Sequence, residues 1–542
     1  MGSKKLKAIV VEAQRKIEVA DERKFNELRE KYNEIFKESI ACQSHTTYGT
    51  LQLLSLNRYN IYAKNEQTPL PEEMDILEDT FVEKFKVGNC ACWMCPIGCS
   101  QKWEIKEGRF KNEKGEKIEF GHLMSLSWNL GLYDFPAALH LSNMTNRLGI
   151  DCIQFGWTLS LAMECWQRGI LKGEDTDGLS LEWGDFEAIR EMMEKVAYRK
   201  GFGSILAEGT KKAAQIIGHG AEEYAQHTKG LSFPYNADHI LAMALANVVS
   251  ARGADHLKGH PISGLIRNRE LLEKIFGSDL PEDFFDRDSP VGKGRIVWWH
   301  ENYRILQDSI GLCFIPFTDL IMIGDPYVFP QEFAEILNAV TGLGVDGYEL
   351  MLVAERLVQI EKAFNAILGI SRKDDAHQGR LRPNSVDNLN HPGMLDEYYK
   401  YRGFSKEGLP TNQRLREVGL EKIAQDLTKL GKISSAEVFD LQKLLRKIHQ
   451  HQTSNVVVTV KLHSMIRDIV GRNFLTVELG EKATVDDLTK KISEAYPEVE
   501  KQLRASAIFR IEEKQLKPED QLRRGDVISI LMPVAGGLSS GL

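Results

Sequence analysis

Four of the eight cysteines in this 542-residue chain fall within ten residues, in the stretch NCACWMCPIGCS from Asn89 to Ser100. Eight cysteines are too few for a disulfide framework at this length, so the clustering points to metal in a reducing compartment. The spacing Cys92-x2-Cys95-x3-Cys99 puts three thiolates in one tight turn, with Pro96 and Gly98 bending the backbone so that they can converge. Such a loop binds zinc or an iron-sulfur cluster, and a cubane cluster wants a fourth ligand, often from far along the chain. Cys313, in DSIGLCFIPF, is the distant cysteine flanked by turn chemistry. A structural zinc site usually arrives as two Cys-x2-Cys pairs, and no second pair exists here. Cys90 is out of register with the others, and Cys90, Cys42 and Cys165 read as bystanders.

Composition narrows the partners. The formal charge of -8 and pI near 6.0 come with no concentrated basic face, which argues against nucleic acid. No run of eighteen apolar residues exists, and the opening MGSKKLKAIVVEAQRK lacks a cleavage site, so neither a membrane span nor export is expected. Leu6 stands where a myristoylation signal wants Ser or Thr. A cytoplasmic protein with a small-molecule or protein partner is the expectation.

Along the chain, KKLKAIVV reads as a buried strand at the very start, in need of a neighbour. From about residue 120 to 370 the patterning is mostly helical. In DFEAIREMMEKVAYRKG, Asp185 can cap, Phe186, Ile189, Met193 and Val196 share a face, and Gly201 follows the basic last turn. VFPQEFAEILNAVTG and ELMLVAERLVQIEKAFNAIL behave alike. Two more helical stretches lie between Leu415 and Gln452; the second, AEVFDLQKLLRKIHQ, has Val438, Leu441, Leu445 and Ile448 at helical spacing and ends in the polar HQHQTSN. After that boundary the period becomes two. NVVVTVKL, NFLTVELG, SAIFRIEE and DVISILMP read as strands, and TVDDLTKKISEAYP as a helix with Thr484 and Asp487 placed as a capping box. The fold expected is a mainly α body followed by an α+β, β-grasp (ubiquitin-like) domain.

A second chemical signal is a repeated turn. NRLGID (Asn146, Gly149, Asp151) and DSIGLC (Asp308, Gly311, Leu312, Cys313) share one pattern, in which Gly permits close backbone approach and the flanking polar groups can hydrogen-bond a ligand. Either turn alone would be a helix terminus or loop; the second ends in the suspected fourth cluster ligand.

CWMCPIGC, these two turns, SARGADHLKGHP at Ser250 to Pro261 and the opening MGSKKLKAIVV together resemble the tungsten-dependent aldehyde ferredoxin oxidoreductase family, from residue 1 to about 430. The resemblance implies a tungsten or molybdenum ion held by two pterins beside one 4Fe-4S cluster. Cys92, Cys95, Cys99 and Cys313 would ligate the cluster; Asp308, Gly311, Leu312, Lys258 and the residues of NRLGID would contact the pterin cofactor; His256 would be the catalytic histidine near the metal. It implies oxidation of a small aldehyde to a carboxylic acid with electrons passing to ferredoxin, and leaves a homo-oligomer open. MGSKKLKAIVV matches the family pattern just after its β-rich first domain, so that domain is expected upstream or on a separate chain. The family's acidic segment, GPEYE, corresponds to FGHLM here, which removes the expected carboxylate from its place and leaves His122 and Glu119 nearby; Asn146 replaces an Asp.

Val456 to Gly537 resembles the sulfur-carrier subunit of molybdopterin synthase, of the MoaD/ThiS type, whose terminal Gly-Gly, here Gly536 and Gly537, is converted to a thiocarboxylate. LSSGL follows Gly537 and would need trimming. The large subunit of molybdopterin synthase or an activating enzyme would be the partner. The domains expected are 1–225 (second oxidoreductase domain, cluster-binding), 226–432 (third domain), 433–454 (helical linker) and 455–542 (sulfur carrier). Two alternatives stand beside the aldehyde enzyme: a benzoyl-CoA-reductase-like tungsten subunit, and a non-catalytic partner that delivers pterin or sulfur.

Overall fold

The computed structural model describes residues 8–12, 14, 17–54, 61–71, 78–234, 240–266, 268–317, 328–380, 391–453, 455–472, 474–510, 515–524 and 526–531. The strand expected at the start is not formed in its described part. Residues 8–12 carry no secondary structure, and Ile9 and Val10 are 75% and 89% exposed, since among the described residues no strand pairs with them; residues 4–7 of that stretch lie outside the described residues. The chain is first fixed where Ala20 and Asp21 donate to the carbonyls of Val340 and Ala339.

Asp21 caps helix α1 (Glu22–Glu38) by accepting from the Lys24 amide, and Ser39 caps α2 (Ile40–Tyr48). A three-stranded antiparallel sheet follows: β1 (Lys86–Cys90), β2 (Ser100–Glu104) and β3 (Lys114–Glu116), with Cys90 opposite Ser100. The cysteine loop is therefore the connection of a hairpin. Helices α3 (Phe120–Leu126), α4 (Phe135–Leu148) and α5 (Cys152–Gln167) come next, and α5 is buried along nearly its whole length. The helix Phe186–Ala197 is capped by Asp185 and buries Ile189 and Met193 as its spacing predicts. Trp103, Trp128, Phe81 and Phe135 centre one core of this half, and α5 with Met192 and Phe202 another.

A third core joins α6 (Lys293–Ile310), α7 (Pro330–Thr341), α8 (Gly347–Ile367) and α9 (Pro392–Arg402), with Leu28 and Tyr32 of α1 packed into it. At its centre Arg402 is wholly buried. Its guanidinium donates to Glu355 Oε2 and Glu301 Oε2, each at 2.6 Å, to Asn302 Oδ1 at 2.7 Å and to the Trp298 carbonyl at 3.1 Å. Arg414 approaches the other Glu355 oxygen at 3.7 Å. Burial pushes Glu355 up, but the two arginines outweigh it and hold the carboxyl below its ordinary range; at Glu301 burial prevails and the carboxyl is raised.

The helix expected from Ala436 begins five residues later, as α10 (Leu441–Thr453). Gln413 takes both backbone groups of Val438, which keeps that residue out of the helix, and Glu417 accepts from the Leu441 amide to start it. Leu441, Leu445 and Ile448 bury into the same core as α8.

After it the sheet runs β4 (Val456–Leu462), β5 (Phe474–Leu479), β6 (Ala507–Arg510), β7 (Gln515–Leu516) and β8 (Val527–Leu531) in the order β5-β4-β8-β6-β7, with β4 and β8 parallel at the centre. Helix α11 (Val485–Ala495), started by the Thr484–Asp487 capping box, crosses one face and packs Leu488 and Ile492 on Val458, Val460 and Ile528. This is the β-grasp arrangement that the alternation implied, with its own core. Among the described residues no helix is long and apolar enough to cross a membrane.

Replacing Arg402 by Met strands two buried carboxylates and is expected to cost about 3–5 kcal/mol of stability. Urea denaturation of the R402M variant against wild type measures it, and a loss within the error of the extrapolation would mean that the network relaxes without its arginine.

Candidate functional site

The cysteine loop is held by its backbone. The Cys95 amide donates to the Cys92 carbonyl at 3.0 Å, Met94 (φ 57°) adopts the left-handed region and Gly98 (φ 61°) turns the chain back. Asn89 Nδ2 donates to the carbonyls of Thr46 (2.5 Å) and Gly98 (2.9 Å), Thr46 Oγ1 to that of Ile97 (2.8 Å), and Gln101 Nε2 to that of Cys99 (2.7 Å). Helix α2 and the hairpin thus fix the loop from both sides. Trp93, between the first two cysteines, is 91% exposed.

The repeated turns turn out to be one device used twice. Gly149 (φ 69°) ends α4 and Gly311 (φ 78°) ends α6. In each, the glycine and the following residue donate back to one carbonyl, of Thr145 and Gln307 respectively. Asn146 and Asp151 are exposed; Asp151 caps α5 through the Gln154 amide. Asp308 pairs with Arg304 at 3.0 Å, and Leu312 is half-buried in the same turn. The second cap delivers Cys313 to the first loop. Cys95, Cys99 and Cys313 line one cavity of about 320 Å3, and Cys92 lies within electrostatic reach of Cys313. All four thiols are free, and no three His, Cys, Asp or Glu side chains among the described residues close on a single-ion site. Three of the four thiols share that cavity, and an all-thiolate donor set is of the kind that holds an iron-sulfur cluster. Burial pushes the Cys99 thiol up to about 11 against the opposing charge of Lys117. Cys90 sits at the end of β1 with its sulfur on Glu116, and Cys42 and Cys165 are buried elsewhere.

His256 opens a short turn whose start is capped by Asp255, itself held by Arg252 at 2.5 Å. Its ring stands 6.0 Å from that of His260, which is 5.6 Å from Phe314, the neighbour of Cys313. Arg304 lies over Phe314 and donates to the Leu257 carbonyl, tying this turn to α6. Lys258 pairs with Glu361 at 2.7 Å, so its charge is directed to α8.

Glu119, one of the two residues left near FGHLM, brings a carboxylate to this face. It directly precedes α3 without capping it, and its side chain turns instead to Lys117 (3.0 Å) and the Thr50 hydroxyl. Burial pushes Glu119 up, but Lys117 and Thr50 outweigh it and keep the carboxyl below its ordinary value. It is within electrostatic reach of His256, His122 and Cys99. His122, with its Nδ1 3.3 Å from Ser142 Oγ, completes this face. Gly536 and Gly537 lie outside the described residues.

Burial lowers His256 to about 4 and His300, which meets Ser263 Oγ at 2.5 Å, to about 3, from an ordinary 6.5. With folded values below unfolded ones, the unfolded chain binds more protons, so stability is lost as pH falls from about 6.5 towards 4. The thermal midpoint should drop between pH 7 and pH 5. It should drop less in H300Q, whose amide keeps the Ser263 contact; an equal fall would mean that His300 is not buried neutral.

Residues 27–420 match the family model for aldehyde ferredoxin oxidoreductase, domains 2 and 3, and residues 460–537 match the ThiS family. The tungsten-containing aldehyde ferredoxin oxidoreductase of Pyrococcus furiosus is 31% identical over 434 residues, covering 78% of this chain and 68% of that protein. The molybdopterin synthase sulfur carrier subunit of Chlamydomonas reinhardtii is 32% identical over 73 residues, 13% of this chain and 87% of that one. Among solved structures, the BamBC active-site complex of benzoyl coenzyme A reductase, bound to 1,5-dienoyl-CoA, superposes with a TM-score of 0.61 at 20% identity, over 77% of this chain and 68% of that one, a likeness of fold. With residues 27–420 matched and the Pyrococcus furiosus relative 31% identical over 78% of the chain, the chain belongs to the aldehyde ferredoxin oxidoreductase family through domains 2 and 3, and carries a ThiS-family domain after them.

Proposed function

We propose that the body of this chain serves a tungsten-pterin oxidoreductase that converts an aldehyde and water to a carboxylic acid, two protons and two electrons, the electrons leaving to ferredoxin. The observation that supports it most is the meeting of three separated segments, the cysteine loop, the Glu119–His122 turn and the His256 turn, around the end of α6. Cys92, Cys95, Cys99 and Cys313 would hold a 4Fe-4S cluster, and Asn146, Gly149, Asp151, Asp308, Gly311 and Leu312 would face the pterins, with Lys258 beside them. When bound, the tungsten-pterin and cluster supply acceptance of the electron pair and its passage outward.

The remaining work falls to side chains. Glu119, kept ionised by Lys117 and Thr50, can take a proton from the attacking water or from the aldehyde hydrate. His256, neutral near pH 7, can accept the next proton, and Arg252 keeps Asp255 in place beneath it. The ThiS-family domain is proposed as a sulfur carrier ending at Gly537, served by an activating enzyme or a molybdopterin synthase large subunit. The assignment of 1–225 and 226–432 to the second and third oxidoreductase domains is part of the same proposal.

Metal analysis and dye reduction test the reading together. About four iron atoms and tungsten per chain, with aldehyde-dependent reduction of a low-potential dye, are expected. Zinc alone, or reduction of an aromatic thioester in place of aldehyde oxidation, would overturn it. E119Q should lower kcat on the order of a hundredfold with KM little changed, since it keeps the shape and removes the base. C313S should lose cluster iron, measured by absorbance near the cluster's visible band and by elemental analysis.

A further inference from the structure

Helix α1 is lined on two sides by parts of the chain with different tasks. Phe25, Leu28, Tyr32 and Phe36 wall the cavity that holds Cys95, Cys99 and Cys313. Lys31, Glu34, Ile35 and Glu38 face a second space, about 500 Å3, whose far wall includes Val457, Thr459 and Phe474 of the β-grasp sheet. The alternate residues Val456, Val458 and Val460 pack towards α11, so Val457 and Thr459 belong to the sheet's outer face. At 100° per residue the two stripes of α1 are centred about 115° apart, and a helix is roughly 10 Å across. The same helix therefore borders both the sheet-side space and the cysteine cavity.

The β-grasp domain is fastened to the body by charge. Arg524, on the loop leading into β8, pairs with Glu332 of α7 at 2.6 Å and donates to the carbonyls of Gln452 and Asn455, at 3.0 and 3.1 Å, at the end of α10. Lys274 pairs with Glu478 of β5 at 2.6 Å, and Asn455 holds the other oxygen of Glu478. Lys461 lies within electrostatic reach of Glu34, and Lys31 within reach of Glu332 and Arg524. On the body side α1 rests on the core through Leu28 and Tyr32 and is tied at its start to the end of α7. A 17-residue helix is marginal alone and takes its place from what it packs against.

We propose that the β-grasp domain has a second task besides any carrier role: seated by Arg524 and Lys274, it braces α1 over the cysteine cavity and restricts access to the half-buried Cys95 and Cys99, while Cys313 at the cavity's edge stays exposed. The inference goes beyond the oxidoreductase reading, because it depends on where the cysteines lie and holds for the metal-free chain. It gives the fusion a structural consequence: displacing the domain loosens the wall of the cavity.

The test is the rate at which iodoacetamide modifies each cysteine of the purified, metal-free full chain, followed by peptide mass. In R524E/K274E, like charges face Glu332 and Glu478. Cys95 and Cys99 should then react about tenfold faster, whereas exposed Cys92 and deeply buried Cys165 keep their wild-type rates. The exchanged pair K274E/E478K should react slowly, like wild type. Small-angle scattering reports whether the domain has moved. Unchanged Cys95 and Cys99 rates with the domain displaced would overturn the brace, and a domain still seated in R524E/K274E would overturn the charge fastening. Should that variant fail to fold, wild type in rising salt serves instead: screening should speed Cys99 modification, and a flat dependence between low and high salt would count against the proposal.

Discussion

Arg402 is the interaction on which the placement of the site depends. It joins Glu301 and Asn302 on α6 to Glu355 on α8, and so fixes the position of a helix whose far end carries Asp308, Gly311 and Cys313. A buried guanidinium with two carboxylates gains little over apolar packing of the same volume, but it tolerates few alternative arrangements. From Glu301 to the Gly311 cap is less than three helical turns, so a shift of α6 at the arginine would be felt at Cys313. The first three cysteines depend on a different support, the hairpin and α2. The thiols meet because two independently braced parts of the body abut.

The features readable in sequence were those governed by local rules. Thiol spacing, glycine caps, the Thr484–Asp487 capping box and the change from a 3.6 to a 2 period each reflect neighbours a few residues apart, and each appears in the structure. What escaped was set at long range. The apolar run at the start looked like a strand because composition says nothing of whether a partner strand exists. The helix at α10 was drawn too early because Gln413, more than twenty residues back, claims the backbone of Val438. Glu119 was legible as a carboxylate left beside FGHLM, but its contact with Thr50, 69 residues back in the chain, was not.

Lys117 links the two chemistries of the site. It favours the ionised form of Glu119, and its charge opposes the burial that pushes the Cys99 thiol up. One cation thus favours the deprotonated form of both a carboxyl and a thiol. The α3 entry turn is in this sense the electrostatic hinge between the cysteine loop and the histidines.

Glu332 divides its two oxygens between neighbours of very different origin. Oε2 accepts from the Phe329 amide and starts α7, while Oε1 receives Arg524 from the β-grasp domain. The carboxylate is oriented for the arginine only once the first turn of α7 exists. Seating of the last domain is thereby conditional on a helix formed some two hundred residues earlier, an order of assembly that matches the order in which a ribosome releases the chain.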